Sequence, residues 1–161
     1  MPAFAGVTFI FLLLSLSAHA ETVGMQGVAQ IRQCVMGNDA TLCHNFLTSG
    51  SFAIFDKFSG YGLMPCLPTN FTYKSERTSG NKTTVTAEMP ADDKTNYLFR
   101  MVFVNDGGRI KLNLPETLRT GLGEDWKDKL DFSEQLFLMM RQNMHDKLTC
   151  DVLRDLAVSP K

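Results

Sequence analysis

Residues 97–104 read Tyr-Leu-Phe-Arg-Met-Val-Phe-Val and run directly into Asn105-Asp106-Gly107-Gly108. A short run dense in aromatic and β-branched residues is a strand, and paired glycines supply the positive φ that a tight hairpin turn requires. Beyond the turn, Ile110, Leu112 and Leu114 alternate with Arg109, Lys111 and Asn113. The two faces of the first strand are Tyr97, Phe99, Met101 and Phe103 on one side, and Leu98, Arg100, Val102 and Val104 on the other. Both are mostly apolar, which predicts a central strand covered over part of each side.

The same period of two extends upstream. Phe71 and Tyr73 alternate with Thr72 and Lys74, Ser79-Gly80-Asn81 is a turn signal, and Val85, Ala87 and Met89 alternate with Thr84, Thr86 and Glu88 up to Pro90. Together these runs predict a four-stranded antiparallel meander. Before it the period is helical. Met25, Val28, Ala29, Ile31, Cys34 and Val35 form a stripe that ends at Gly37. Asp39 is placed to cap a second helix carrying Leu42, Cys43, Phe46 and Leu47, and Phe52, Ile54, Phe55 and Phe58 form a third after Ser49-Gly50-Ser51. After the sheet, Pro115 suits the first turn of a helix with Leu118 and Leu122. Asp131 or Ser133 then caps a last helix whose row is Leu136, Met140, Met144 and Leu148, widened by Phe137 and Met139 and extended by Val152 and Leu153. The fold class predicted is α+β: N-terminal helices, the meander sheet and a C-terminal helical extension.

Composition bears on compartment and partners. Residues 1–20 contain no charged side chain, and Val7 to Ala18 is an apolar run far short of the roughly 20 residues that span a bilayer. With small residues in Ala18-His19-Ala20, this reads as a secretory signal cleaved between Ala20 and Glu21, although its n-region carries no Lys or Arg. The expectation is a periplasmic or extracellular protein with no stable membrane insertion, one domain over residues 21–161, helices and sheet over 25–114 and C-terminal helices over 115–156. Sixteen Lys and Arg balance 17 Asp and Glu, which excludes electrostatic capture of nucleic acid, and 44% hydrophobic content excludes wholesale disorder.

All four cysteines, Cys34, Cys43, Cys66 and Cys150, follow the leader, and an even count in an oxidising space reads as two disulfides. The favoured pairing is Cys34–Cys43 across the Gly37-Asn38-Asp39 turn, with Cys66–Cys150 fastening the C-terminal helix to the loop before the sheet. There is no C-x-x-C, and His44 and His145 are the only histidines after the leader, so neither a metal nor another cofactor is implied.

Two leading helices followed by a four-strand meander resemble the NTF2-like and cystatin-like α+β superfamilies. The hairpin at residues 96–114, Asn-Tyr-Leu-Phe-Arg-Met-Val-Phe-Val-Asn-Asp-Gly-Gly-Arg-Ile-Lys-Leu-Asn-Leu, is similar to the last hairpin of small secreted bacterial NTF2-like domains. The resemblance covers about residues 25–114 and implies a curved sheet with helices on its concave side. About 45 residues follow the usual last strand, and no enzymatic motif is present, so no catalytic residue is carried over.

The candidate chemistry lies on the polar strand positions. Arg100 sits between Leu98 and Val102 on the strand expected to be central, where a guanidinium must meet a carboxylate or an acidic ligand. A cross-strand pair with Glu88 on a solvated face is one reading; an anion site formed with Glu88 and Lys111 is the other. Met139, Met140 and Met144 mark a possible contact surface if the last helix is more apolar than its neighbours can cover. Against catalysis, His145-Asp146 and Glu124-Asp125 are sequence neighbours on helix surfaces, and Gly107-Gly108 joins two strands where a phosphate loop needs a helix. Asn70-Phe71-Thr72 and Asn81-Lys82-Thr83 fit the glycosylation acceptor pattern. The reading is therefore a binding domain for a small or acidic ligand in a sheet–helix pocket. The alternatives are a protein–protein assembly module built on the last helix, or a small hydrolase or isomerase. Monomer and homodimer are both open.

Overall fold

The computed structural model describes residues 21–63, 69–90 and 96–143. In chain order the elements are α1 (Val23–Met36), α2 (Ala40–Asn45), a 3₁₀ turn (Ser49–Ser51), α3 (Phe52–Gly60), β1 (Thr72–Ser79), β2 (Lys82–Pro90), β3 (Asn96–Asp106), β4 (Arg109–Leu112), α4 (Leu114–Leu122) and α5 (Trp126–Asn143). The strands form one antiparallel sheet in the order β1-β2-β3-β4, so the protein is an α+β fold with helices on either side of a meander in sequence.

Local chemistry places the helix ends. The Thr22 hydroxyl accepts from the Met25 amide and the Asp39 carboxylate from the Leu42 amide, each satisfying a first-turn donor that no helix can bond internally. Between α1 and α2 the chain reverses through Asn38 at φ 49°, and the Cys34–Cys43 disulfide spans that reversal with a Cα–Cα distance of 5.1 Å. Gly107 and Gly108 take φ of 58° and 83° in the β3–β4 turn, as the sequence requires.

The core is the odd-numbered face of β3 and its neighbours against α1, α2 and α3. Val28, Cys34, Cys43, Leu47, Phe55, Val85, Ala87, Met101, Phe103, Ile110 and Leu112 are all buried there. Contact is close because α1 turns glycines toward the sheet. A Cβ on Gly27 would lie 2.6 Å from the Phe103 ring, and one on Gly24 would lie 2.5 Å from a Val85 methyl. The helix backbone itself is the packing surface at these two positions.

A bulge in β1 changes which of its residues face α1. Tyr73 pairs with Ala87, but Ser75 pairs with Thr86 and Glu76 with Val85, so the register shifts between Tyr73 and Ser75. Strict alternation would have pointed Arg77 inward; the extra residue puts Glu76 there. Its carboxylate accepts from the Thr22 hydroxyl and the Gly24 amide, both at 2.8 Å, where the positive end of the α1 dipole favours a negative charge.

The opposite face is covered only in part. Val102 lies outside the main core yet is 4% exposed. Its amide donates to the Thr117 hydroxyl at 2.9 Å and its carbonyl accepts from the Asn113 amide at 2.8 Å. Lys82 reaches Glu116 from β2 at 3.1 Å, holding α4 over this end of the sheet. The outer edge of β4 is closed by Phe46 to Thr48, whose backbone exchanges hydrogen bonds with Leu112 at 2.7 and 3.0 Å.

Two expectations are corrected. Asn113 is not a strand residue: its side-chain carbonyl oxygen caps α4 by accepting from the Glu116 amide. The last helix is not capped by Asp131 or Ser133, since it starts at Trp126 and both residues lie inside it. The Ser133 hydroxyl donates back to the Lys129 carbonyl, a bond a serine makes within a helix. The first turns, Trp-Lys-Asp-Lys-Leu-Asp, hold too few apolar residues to show a stripe. Cys66, Cys150, Met144, His145, Leu148, Val152, Leu153 and the whole leader lie outside the described residues, as does the Cys66–Cys150 pairing. No helix among the described residues is long and apolar enough to cross a membrane.

Candidate functional site

Arg100 does not stand in a helix–sheet pocket. It is exposed, paired across the sheet with Thr86, because α4 covers this face only as far as Val102. β3 is central in order, as expected, but its even-numbered side is open at Arg100, so the guanidinium is solvated. Glu88 is opposite Leu98; its carboxylate pairs with Lys74 and accepts from the Asn96 side-chain amide at 3.2 Å. Lys111 is paired with Asp106 at 3.1 Å. The three residues expected to converge are thus separately engaged or exposed, with no carboxylate of the described residues on Arg100.

Arg32 is a half-buried cation. It projects from the second half of α1, and its Nη2 donates to the Phe71 carbonyl where the chain enters β1. Its guanidinium carbon lies 4.9 Å from the centre of the Phe71 ring, which meets Phe99 edge-on at 5.5 Å. Tyr73, Met89 and Phe99 share this face and end of the sheet and are only half-buried against the core. The Arg32 Nε is buried, and among the described residues it has neither a hydrogen-bond partner nor a carboxylate paired with its side chain. A buried N–H left unsatisfied costs roughly 1–3 kcal/mol, and stacking on one ring offsets only part of that. Nothing in the sequence singled Arg32 out, since it falls beside Ile31 on a helix whose apolar stripe dominates the pattern.

At the other end of α1 an open cleft of about 320 Å³ is lined by Val23, Thr78, Gly80, Asn81, Thr83 and Asn105. Thr83 is 3% exposed and its hydroxyl is 3.0 Å from that of Thr78. No ionisable side chain lines this cleft, so it offers neither charge recognition nor acid–base chemistry. Asn70 and Asn81, the two acceptor asparagines, are both exposed.

The titratable groups that do meet are structural in their geometry. His44 Nε2 is 2.5 Å from Asp56 Oδ1, and its ring stacks on Phe52 with centroids 4.6 Å apart. Ser51 is fully buried; its hydroxyl accepts from the Leu114 amide at 2.9 Å and reaches the Leu112 carbonyl at 3.2 Å, tying the 3₁₀ turn to the start of α4. Among the described residues no cluster of three His, Cys, Asp or Glu could hold a metal ion.

The C-terminal helix is latched through Glu134. Glu134 accepts from Lys57 Nζ at 2.6 Å and from the Tyr61 hydroxyl at 2.5 Å, and Phe137 packs on the Tyr61 ring at 5.6 Å. The donors hold the Glu134 carboxyl below its ordinary range, while the carboxylate raises Lys57 and Tyr61 above theirs. A depressed carboxyl contributes stability that is present above the unfolded value and lost as pH falls through the folded one. Trp126, the chain's single tryptophan, begins this helix. Its fluorescence should therefore show a local transition on acidification through the carboxylate range, ahead of global unfolding, and Glu134→Gln should remove it. The same acid transition in both proteins would show that the latch does not hold α5. On the helix face away from Glu134, Phe132, Leu136 and Met139 are 69%, 40% and 59% exposed, so of the expected methionine surface Met139 is on the outside.

No protein-family model matches this chain, and neither a curated protein nor a solved structure does.

Proposed function

We propose that the chain acts outside the cytosol as a binding domain, and that it takes an acidic ligand at the Arg32 end of its helix–sheet layer. One observation carries this reading: a buried guanidinium N–H without a partner, in a chain whose other described cations reach carboxylates or solvent. A ligand carboxylate supplies what the site lacks. It accepts two parallel N–H bonds from one guanidinium, and the half-buried Phe99, Tyr73 and Met89 offer apolar surface to whatever the carboxylate is attached to. Export is supported by the apolar leader with its small residues before Glu21 and by the Cys34–Cys43 disulfide, which persists only where thiols are not kept reduced.

Benzoate is the first probe, because it combines a carboxylate with a ring. In thermal-shift and calorimetric titrations it should stabilise the wild type and leave Arg32→Leu unchanged, while Arg100→Leu binds as the wild type does. Equal binding by wild type and Arg32→Leu would refute the site, and loss in Arg100→Leu alone would return it to β3. The exposed Phe132, Leu136 and Met139 stripe favours a second reading, an assembly module built on α5.

A further inference from the structure

We infer that two copies of this chain pair edge to edge through β3, joining their sheets into one. β3 is 11 residues long and β4 only four, so β4 accompanies just the last part of it. Pairing with β4 covers Phe103 to Asp106, and Asn113 and Thr117 occupy the backbone of Val102. From Asn96 to Met101 no described residue bonds the edge on that side.

The direction of the backbone groups follows from the ladder. The Asn105 amide donates to Asn81 on the β2 side, whereas Val102 is bonded from the α4 side. Successive strand residues point their amides and carbonyls to opposite sides, and the register with β2 runs unbroken from Asn96 to Val104. Asn96, Leu98 and Arg100 therefore direct both backbone groups at the open edge. An exposed edge of this kind is a template for another strand unless charge, proline or a bulge blocks it. β1, the opposite edge, is guarded by its bulge and by Lys74 and Arg77. The open part of β3 has an exposed leucine at its centre, Leu98, 67% accessible.

The occupant that fits is the same segment of a second copy, antiparallel about a two-fold axis at Leu98. In that register Leu98 faces its own counterpart, and Arg100 faces the partner's Asn96. The Asn96 side-chain amide is turned toward Glu88, which leaves its carbonyl oxygen to accept and a carboxylate one strand further in. The exposed Arg100 thus meets an acceptor, with the Lys74-paired Glu88 carboxylate one strand beyond it, and each of the three outward residues on either copy finds both backbone partners. Self-pairing of one patch is the geometry a closed two-fold dimer requires.

Sedimentation velocity over a concentration series tests the pairing. The wild type should populate a dimer, and Leu98→Lys should weaken it at least about tenfold, because edge lysines oppose strand addition. Leu98→Pro gives an independent check: its missing N–H lies on the open side, so the β2–β3 ladder keeps its bonds while the dimer loses two. Circular dichroism like the wild type's identifies variants that fold. A wild type that stays monomeric throughout overturns the inference. So does a dimer unchanged by Leu98→Lys, including one that only Leu136→Asp on α5 dissociates.

Discussion

Phe103→Ala should lower the stability of this domain by about 3–5 kcal/mol, a large part of the roughly 5–15 kcal/mol that a domain of this size commands. The ring is 1% exposed at the centre of the sheet, opposite Thr83 on β2 and Leu112 on β4. Its outer side is covered by backbone, since Gly27 presents no side chain and a Cβ there would already sit 2.6 Å from the ring. Deleting the ring leaves a gap that α1 cannot fill without moving as a body, which puts the cost at the high end for a cavity. Urea unfolding would report the loss as a lower midpoint with an unchanged slope. The pair also couples. Gly27→Ala alone should destabilise through overpacking despite its better helix propensity, yet it should cost less in the Phe103→Ala background, where the new methyl has room. Additive effects in that cycle would mean that the helix does not rest on this ring.

How far the fold was legible in the sequence follows from which signals are local. The meander and its turns could be read because alternation and glycine pairs are properties of neighbouring residues, and the Asp39 cap because a capping side chain acts within one turn. The β1 bulge could not, since a single inserted residue in a polar strand leaves the composition unchanged while redirecting Glu76 to the α1 terminus. The strand carrying Arg100 was correctly placed in the middle of the sheet. Central order, however, decides backbone pairing, and side-chain burial depends on how far α4 extends over the face. That length is set by where β4 stops and Asn113 caps the next helix. Arg32 was illegible for a related reason: a lone arginine beside a helical stripe is an ordinary surface residue until the entry of a distant strand, at Phe71, closes over it. Glu134 likewise gains its role only from Lys57 and Tyr61, more than 70 positions away in the chain.

Breaking the Cys34–Cys43 bridge should be the other large loss. The bond closes a loop with a sequence separation of 9, and constraint of the unfolded chain by so short a loop is worth about 2.5 kcal/mol in the chain-entropy model. Both cysteines are also buried, at 1% and 0% exposure, in contact with the core that α1 and α2 share. Replacing them with serines puts two hydroxyls into a largely apolar site, where the Ile31 carbonyl, 3.2 Å from Cys34 Sγ, can accept from only one of them, so the double serine variant should lose about 3–5 kcal/mol. Alanines, which leave small gaps but bury no hydroxyl, should lose less, and the difference between the two variants isolates the cost of burying the hydroxyls. Reduction of the wild type should loosen α2 first, because that six-residue helix is held by the bridge, the Asp39 cap and the His44–Asp56 pair. Hydrogen exchange with and without reductant would locate the effect at residues 34–45. A loss of this size on reduction would support the proposal that the domain works in an oxidising space. Full stability after reduction would remove the strongest structural support for export.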